Sequence, residues 1–288
     1  MMFAVFIASH INYHNQLKLL EKAILSVKNQ DYNNENIDIW LSISFSNIEY
    51  ENNFNEMDIS NNCFKCFKQD KQMYQLEHLR YLNEQSYKKY KYEWICFLDD
   101  DDEYDKSRIT AFKTKANMIK DKNIKRYMLT QIIYEKGKCI IGDSKVLECF
   151  IYWLYAIRQD ALNVFFKWFS ISSLQNNNAD FLLKMYFERV FSMNETATIK
   201  GGYYLYNTEN DNSISKKEDN KGDNICELYY ATCMNNKKIL IKKYGDKYKE
   251  HIDNVLYKEC LKHYHNFKYN DEWIKYLIKN IVLYRTSL

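Results

Sequence analysis

Trp94-Ile-Cys-Phe-Leu-Asp99-Asp100-Asp101-Asp102-Glu103 is the stretch on which the reading of the chain turns. An apolar run long enough for a buried strand passes into four consecutive aspartates, with nothing between to dilute the charge. Carboxylates this close raise one another's pKa values unless a cation neutralises them. Hard oxygen donors at a strand end suit Mg2+ or Mn2+. The alternative is an acidic, solvated turn, or a set of cap residues for a helix starting near Lys106.

Upstream, Phe3-Ala-Val-Phe-Ile-Ala8 is the continuous apolar run expected of a strand buried on both faces. Leu17, Leu20, Ile24 and Val27 then recur at helical spacing over 15–28. Ile37-Asp-Ile-Trp-Leu-Ser-Ile-Ser44 reads as a second strand, which makes a right-handed βαβ unit. The polar, Asn-rich segment 50–69 is expected to be a loop with one short strand. A helix over 71–89, using Leu76, Leu79 and Leu82, delivers the chain to the 94–98 strand. This alternation predicts an α/β fold, a Rossmann-like, mainly parallel sheet flanked by helices. Ligands of such sheets sit outside the carboxyl ends of the strands, so Ser9, Ser44 and Asp99 should share one rim. Ser9 and His10, just past the first strand, are then set to touch a nucleotide base or ribose.

Downstream, the pattern predicts a helix over 106–120, a strand over 126–134, and a turn with a return strand over 137–143. An aromatic strand over 150–156 and a helix beginning at Arg158 follow. Asn176-Asn-Asn-Ala-Asp180 is a helix entry, because Asn and Asp favour the cap. A strand over 197–206 precedes a polar, charged segment, and 224–288 holds amphipathic helices without a clear strand. The chain thus divides into 1–222, with a nucleotide-binding half at about 1–104 and an acceptor half at about 105–222, and a C-terminal helical appendage at 223–288.

Composition narrows the partners. The net charge of +3 arises from 41 basic and 38 acidic residues in small alternating clusters, which argues against nucleic acid as the main partner. Cys63 and Cys66 form one Cys-X-X-Cys, but a structural zinc site needs two further ligands and no second pair has that spacing. Scattered cysteines fit a reducing compartment. The N-terminal run lacks a basic leader and a cleavage pattern, and no stretch reaches the ~18 apolar residues of a membrane span. A soluble, cytoplasmic protein without signal peptide or transmembrane segment is the expectation. In a chain with 26 Tyr, the aromatic band Tyr152, Trp153, Tyr155 and Trp168 is read as core in preference to a sugar-stacking surface.

Four fragments occur in an order that matters: Ser26-Val-Lys-Asn-Gln30-Asp-Tyr32, Phe97-Leu98-Asp99-Asp100-Asp101-Asp102, Ala179-Asp180, and Asn210-Asp-Asn-Ser213-Ile-Ser215. Together they resemble a GT-A glycosyltransferase of family 2, over about residues 3 to 215. The resemblance implies a GT-A fold with an Asp-X-Asp motif, a nucleoside-diphosphate sugar as donor, most often a UDP-sugar, and Mn2+ or Mg2+ as cofactor. It also implies Asp101 as the direct metal ligand, Asp99 on the ribose or a metal-bound water, and Asp102 as a supporting metal-site or acceptor-side carboxylate. Asp100 is expected to face away, because successive residues of an extended segment alternate. An inverting transfer needs a base for the acceptor hydroxyl. Asp180 matches the family's base, its competing role being the helix cap.

The chain departs from the pattern at three places. The acidic pair after the second strand is replaced by Ser44-Phe-Ser46-Asn47, the Glu before Asp180 is Ala179, and the late His is Asn210. Ser44 or Ser46 can supply a hydroxyl in place of the missing acid, and His78 and Arg80 lie on the helix that leads to the aspartates, with His78 retained as a phosphate contact. Beside the enzyme stands a second reading, a non-catalytic GT-A-like interaction module in a glycan-building complex. Two-metal nucleotidyl transfer or nuclease chemistry needs a second acidic strand end about 4 Å from the first metal, and none is evident. The acceptor, whether glycan, protein or lipid, has no readable code.

Overall fold

The structure, a computed structural model, describes residues 2–31, 37–119, 126–135, 138–141, 154–169, 171–175, 183 and 196–207. The first half is a parallel sheet. Strand β1 (Phe3–Ile11) leads through α1 (Gln16–Lys28) to β2 (Ile37–Phe45), then through α2 (Ile48–Glu56) and a short 3-10 turn (Ser60–Asn62) to β3 (Lys65–Lys68). Helix α3 (Gln75–Lys89) returns the chain to β4 (Trp94–Asp99), which lies parallel to β1 on the side away from β2. The second half adds β5 (Glu103–Tyr104), α4 (Arg108–Met118), β6 (Arg126–Glu135), β7 (Lys138–Ile141), β8 (Ala156–Arg158), α5 (Gln159–Trp168), α6 (Ile171–Leu174) and β9 (Thr196–Asn207). The strand order is β3-β2-β1-β4-β8-β6-β9-β5, with β7 on β6. Strands β8, β7 and β5 pair antiparallel, while β6 and β9 are parallel.

Why β1 lies at the centre of the parallel half follows from its side chains. Phe3, Val5, Phe6 and Ile7 are all fully buried, and each is worth about 1.5–3 kcal/mol relative to exposure. Its neighbours in sequence alternate between the two faces of the sheet. Odd-numbered residues face α1, where Leu17, Leu20, Ile24 and Val27 are buried as the helical spacing predicts. Even-numbered residues face α3, which packs on β1 and β2 through Leu76, Leu79 and Leu82.

Several boundaries differ from expectation. The segment 50–69 contains the one short strand anticipated, but also helix α2, begun by Asn47, whose side chain accepts the Tyr50 N–H at 3.0 Å. Its polar sequence hides it because Phe54 alone among its residues is buried. Strand β1 runs on through Ser9 and His10 to Ile11, since Ser9 and Ile11 are buried too. The third helix starts at Gln75 and the fourth at Arg108, both later than the pattern suggested. Strand β8 begins at Ala156, where the sequence pattern predicted an aromatic strand over 150–156; Leu154 and Tyr155 precede it as buried core residues. Tyr152, Trp153, the Trp168 side chain, Asp180, the segment 207–223 beyond Asn207, and the expected appendage at 223–288 lie outside the described residues. Among the described residues no helix is long and apolar enough to cross a membrane.

Candidate functional site

The four aspartates form a turn, with Asp102 N–H donating to the Asp99 carbonyl at 3.4 Å. Asp100 turns to the side opposite Asp99. Its Oδ2 accepts from Ser9 Oγ at 2.5 Å and from Gln16 Nε2 at 2.9 Å, on the α1 side of the rim. Burial pushes the Asp100 carboxyl up to about 7, and the adjacent Asp101 charge adds to that rise.

Asp99 and Asp102 go different ways. Asp99, the last residue of β4, accepts from Gln75 Nε2 at 2.9 Å through Oδ1, on the α3 side. Asp102 is 1% exposed and both of its oxygens are engaged, Oδ2 by Tyr204 Oη at 2.8 Å and Oδ1 by the Asn207 N–H at 2.7 Å. Burial first, and Asp101 second, raise its pKa well above the usual carboxylate range. Asp101 is half-buried.

Two sets of residues hold this turn, neither assigned such a role by sequence reasoning. From behind, Tyr204 of β9 accepts the Asp99 N–H at 3.2 Å while donating to Asp102. Its ring, with Tyr104 and Phe112, surrounds the buried Arg108 guanidinium at 4.4 to 5.1 Å. Beneath, the motif begun by Ser26 grips the chain just after the turn. Ser26 Oγ accepts the Tyr104 N–H at 2.9 Å. Gln30 donates to the Asp105 carbonyl at 2.9 Å and accepts the Ile109 N–H at 3.0 Å. The spacing of Ser26 and Gln30, one helical turn apart at the end of α1, was the available signal; their partners, some 75 positions on, were not.

On the α3 side, His10 and Ser44 are register partners of β1 and β2. Ser44 Oγ lies 2.9 Å from His10 Nδ1 and 3.3 Å from His78 Nε2. His78 Nδ1 lies 2.8 Å from Ser42 Oγ, which accepts from Gln69 Nε2 at 3.0 Å. Burial lowers the pKa of His10, and that of His78 to about 3, so both rings are neutral near pH 7. His78 is fully buried and meets the rim only through Ser44, whereas His10 is half-buried at the rim itself. Ser46 is exposed, with its N–H on the Ile11 carbonyl at 2.9 Å. Arg80 is committed to Glu84 on its own helix at 2.8 Å.

The rim thus gathers Ser9, His10, Ser44 and the acid turn at the carboxyl ends of β1, β2 and β4, where an α/β sheet takes its ligand. Among the described residues no group of three or more His, Cys, Asp or Glu side chains is close enough to hold a metal ion alone. The Cys63, Cys66 and Cys96 thiols are free, and burial raises all three, Cys66 to about 11.

No family model matches the chain, and no curated protein matches it by sequence. Solved structures do match. S. aureus TarS residues 1–349 in complex with UDP-GlcNAc superposes with a TM-score of 0.61 at 14% identity, over 91% of this chain and 72% of that one. The same protein in complex with UDP gives 0.57 at 13% identity, over 93% and 73%. The fold is that of a GT-A glycosyltransferase. Against the longer TarS structure, at 12% identity and a TM-score of 0.57, this chain spans 44% of the length.

Proposed function

We propose that the chain is a metal-dependent, inverting glycosyltransferase of the family 2 type that moves a sugar from a UDP-sugar to a glycan, protein or lipid acceptor. The observation that carries this reading is the acid turn at the carboxyl rim of a parallel sheet, beside the hydroxyl and imidazole groups of Ser9, His10 and Ser44. The shared fold supports it, since TarS structures hold UDP-GlcNAc and UDP.

The donor set fits a divalent cation. Mg2+ and Mn2+ are commonly held by one or two carboxylates, with substrate phosphates completing the shell, so the absence of a three-residue cluster among the described residues is compatible with it. Asp101 and Asp99 would hold the ion; burial is the main cause that lifts Asp100 and Asp102, and the Asp101 charge that adds to it is one a cation would relieve. A cation there would supply electrostatic stabilisation of the departing diphosphate. Asp102 enters as the carboxylate that fixes the turn to β9. His10 and Ser44 face the base or ribose.

The acceptor hydroxyl loses its proton to Asp180, its oxygen bonds to the sugar's anomeric carbon, and the bond to the diphosphate breaks with inversion. Gln175 Nε2 donates to Glu77 at 3.0 Å in the first turn of α3, next to the Gln75 that holds Asp99. The free thiols support a reducing, cytoplasmic setting.

The second reading, a non-catalytic interaction module, draws on the engagement of Asp100 and Asp102 by protein groups. Thermal melting with Mn2+ and UDP-, GDP- and TDP-sugars separates the two, because a ligand of the native state must raise the melting temperature. The enzyme reading predicts a rise with a UDP-sugar that needs the metal. No rise with any donor favours the module.

A further inference from the structure

The buried polar chain behind His10 has a direction. Ser42 and Ser44 are fully buried and His78 is 1% exposed, so each of their polar hydrogens needs an acceptor. Gln69 Nε2 donates to Ser42 Oγ, which leaves the single Ser42 hydroxyl proton to be placed. Its other contact is His78 Nδ1 at 2.8 Å, and no other described acceptor receives it. His78 therefore accepts at Nδ1 and carries its proton on Nε2. That N–H donates to Ser44 Oγ, and the Ser44 proton goes to His10 Nδ1. The remaining proton of His10 is on Nε2, so an N–H donor, not a lone pair, is what His10 can offer a ligand at the rim.

We propose that Gln69, through this relay, sets the tautomer of His10, and that His10 reads the 4-keto oxygen of the donor's pyrimidine base. The inference rests on the reading of the rim as a nucleotide-sugar site. A keto oxygen at that position, as in uracil or thymine, accepts the His10 proton; the 4-amino group of cytosine meets it donor to donor. Gln69 is half-buried and is the one member of the relay whose replacement reverses it without changing its shape. A carboxylate at that position accepts the Ser42 proton, so each later hydrogen bond turns round and His10 Nε2 becomes an acceptor.

Two measurements on the full chain test this. The 15N chemical shifts of the imidazoles report the tautomer without any nucleotide. Protonated Nε2 and bare Nδ1 at both His10 and His78, exchanged in Gln69→Glu, is the expected result, and protonated Nδ1 at His10 in the unaltered protein overturns the relay. Titration with UDP, TDP and CDP in the presence of Mn2+ then reads the base. UDP and TDP should bind about tenfold or more tighter than CDP, and Gln69→Glu should cut that ratio by about tenfold. Equal binding of UDP and CDP, or a ratio unmoved by Gln69→Glu, overturns base reading by His10. Binding of none of the three by the unaltered protein overturns the donor-site reading itself, while the nitrogen shifts still decide the relay.

Discussion

Asp101 and Asp102 are adjacent and chemically identical, yet their surroundings differ in every respect that matters. Asp102 is buried, accepts two hydrogen bonds from β9, and ties the turn to the second half of the sheet. Asp101 is half-buried, and its charge adds to the burial that raises the pKa of both neighbours. The difference teaches that an acidic run is not one ligand set. Part of it is structure that holds the other part in place.

The comparison breaks if the stability effects of the two sites fail to separate. Asp102→Ala removes the hydrogen bonds that Tyr204 Oη and the Asn207 N–H make to its carboxylate, and should cost about 2–3 kcal/mol in urea unfolding. An unchanged midpoint would remove Asp102 from the frame of the fold. Gln30→Ala, which acts on the same turn from beneath, deprives the buried Ile109 N–H of its partner. About 1–2 kcal/mol is expected, again from the unfolding midpoint.

A pH-dependent effect belongs to the opposite side of the rim. His78 is held neutral, with its folded pKa near 3 against 6.5 unfolded. Between those values the unfolded chain binds the extra proton, so stability is full above about 6.5 and falls as pH is lowered toward 3. Relative to His78→Gln, the unaltered protein should lose up to about 1.4 kcal/mol per pH unit across that window. Parallel pH profiles of the two proteins would contradict a buried neutral His78. Smallest of all is the expected stability change of Asp101→Ala. Removing the charge that burdens Asp100 and Asp102 should leave the midpoint within about 0.5 kcal/mol, or raise it.

Most of the parallel half could be read from the sequence because its signals are local. A run such as Phe3–Ala8 or Trp94–Leu98 needs burial on both faces whatever surrounds it, and α1 shows its face at helical spacing. Helix α2 was hidden because its Asn- and Glu-rich sequence buries one side chain. The rim was anticipated through Ser9, Ser44 and Asp99, the ends of strands that had been placed. What holds the rim was not anticipated, because it is assembled by packing. Tyr204 meets Asp102 from 102 positions away, and Ser42, Ser44 and His78 join only where α3 lies on β2. The turn formed by the four aspartates, one of the two readings open from the sequence, sets Asp100 beside Ser9.

The central claim is that Asp101 holds the metal that a nucleotide-sugar donor requires, and calorimetric titration of UDP into Asp101→Ala with Mn2+ present tests it most directly. The account predicts a folded protein no less stable than the unaltered one, whose metal-dependent UDP binding is lost. Binding of UDP with undiminished affinity and the same Mn2+ dependence would contradict it.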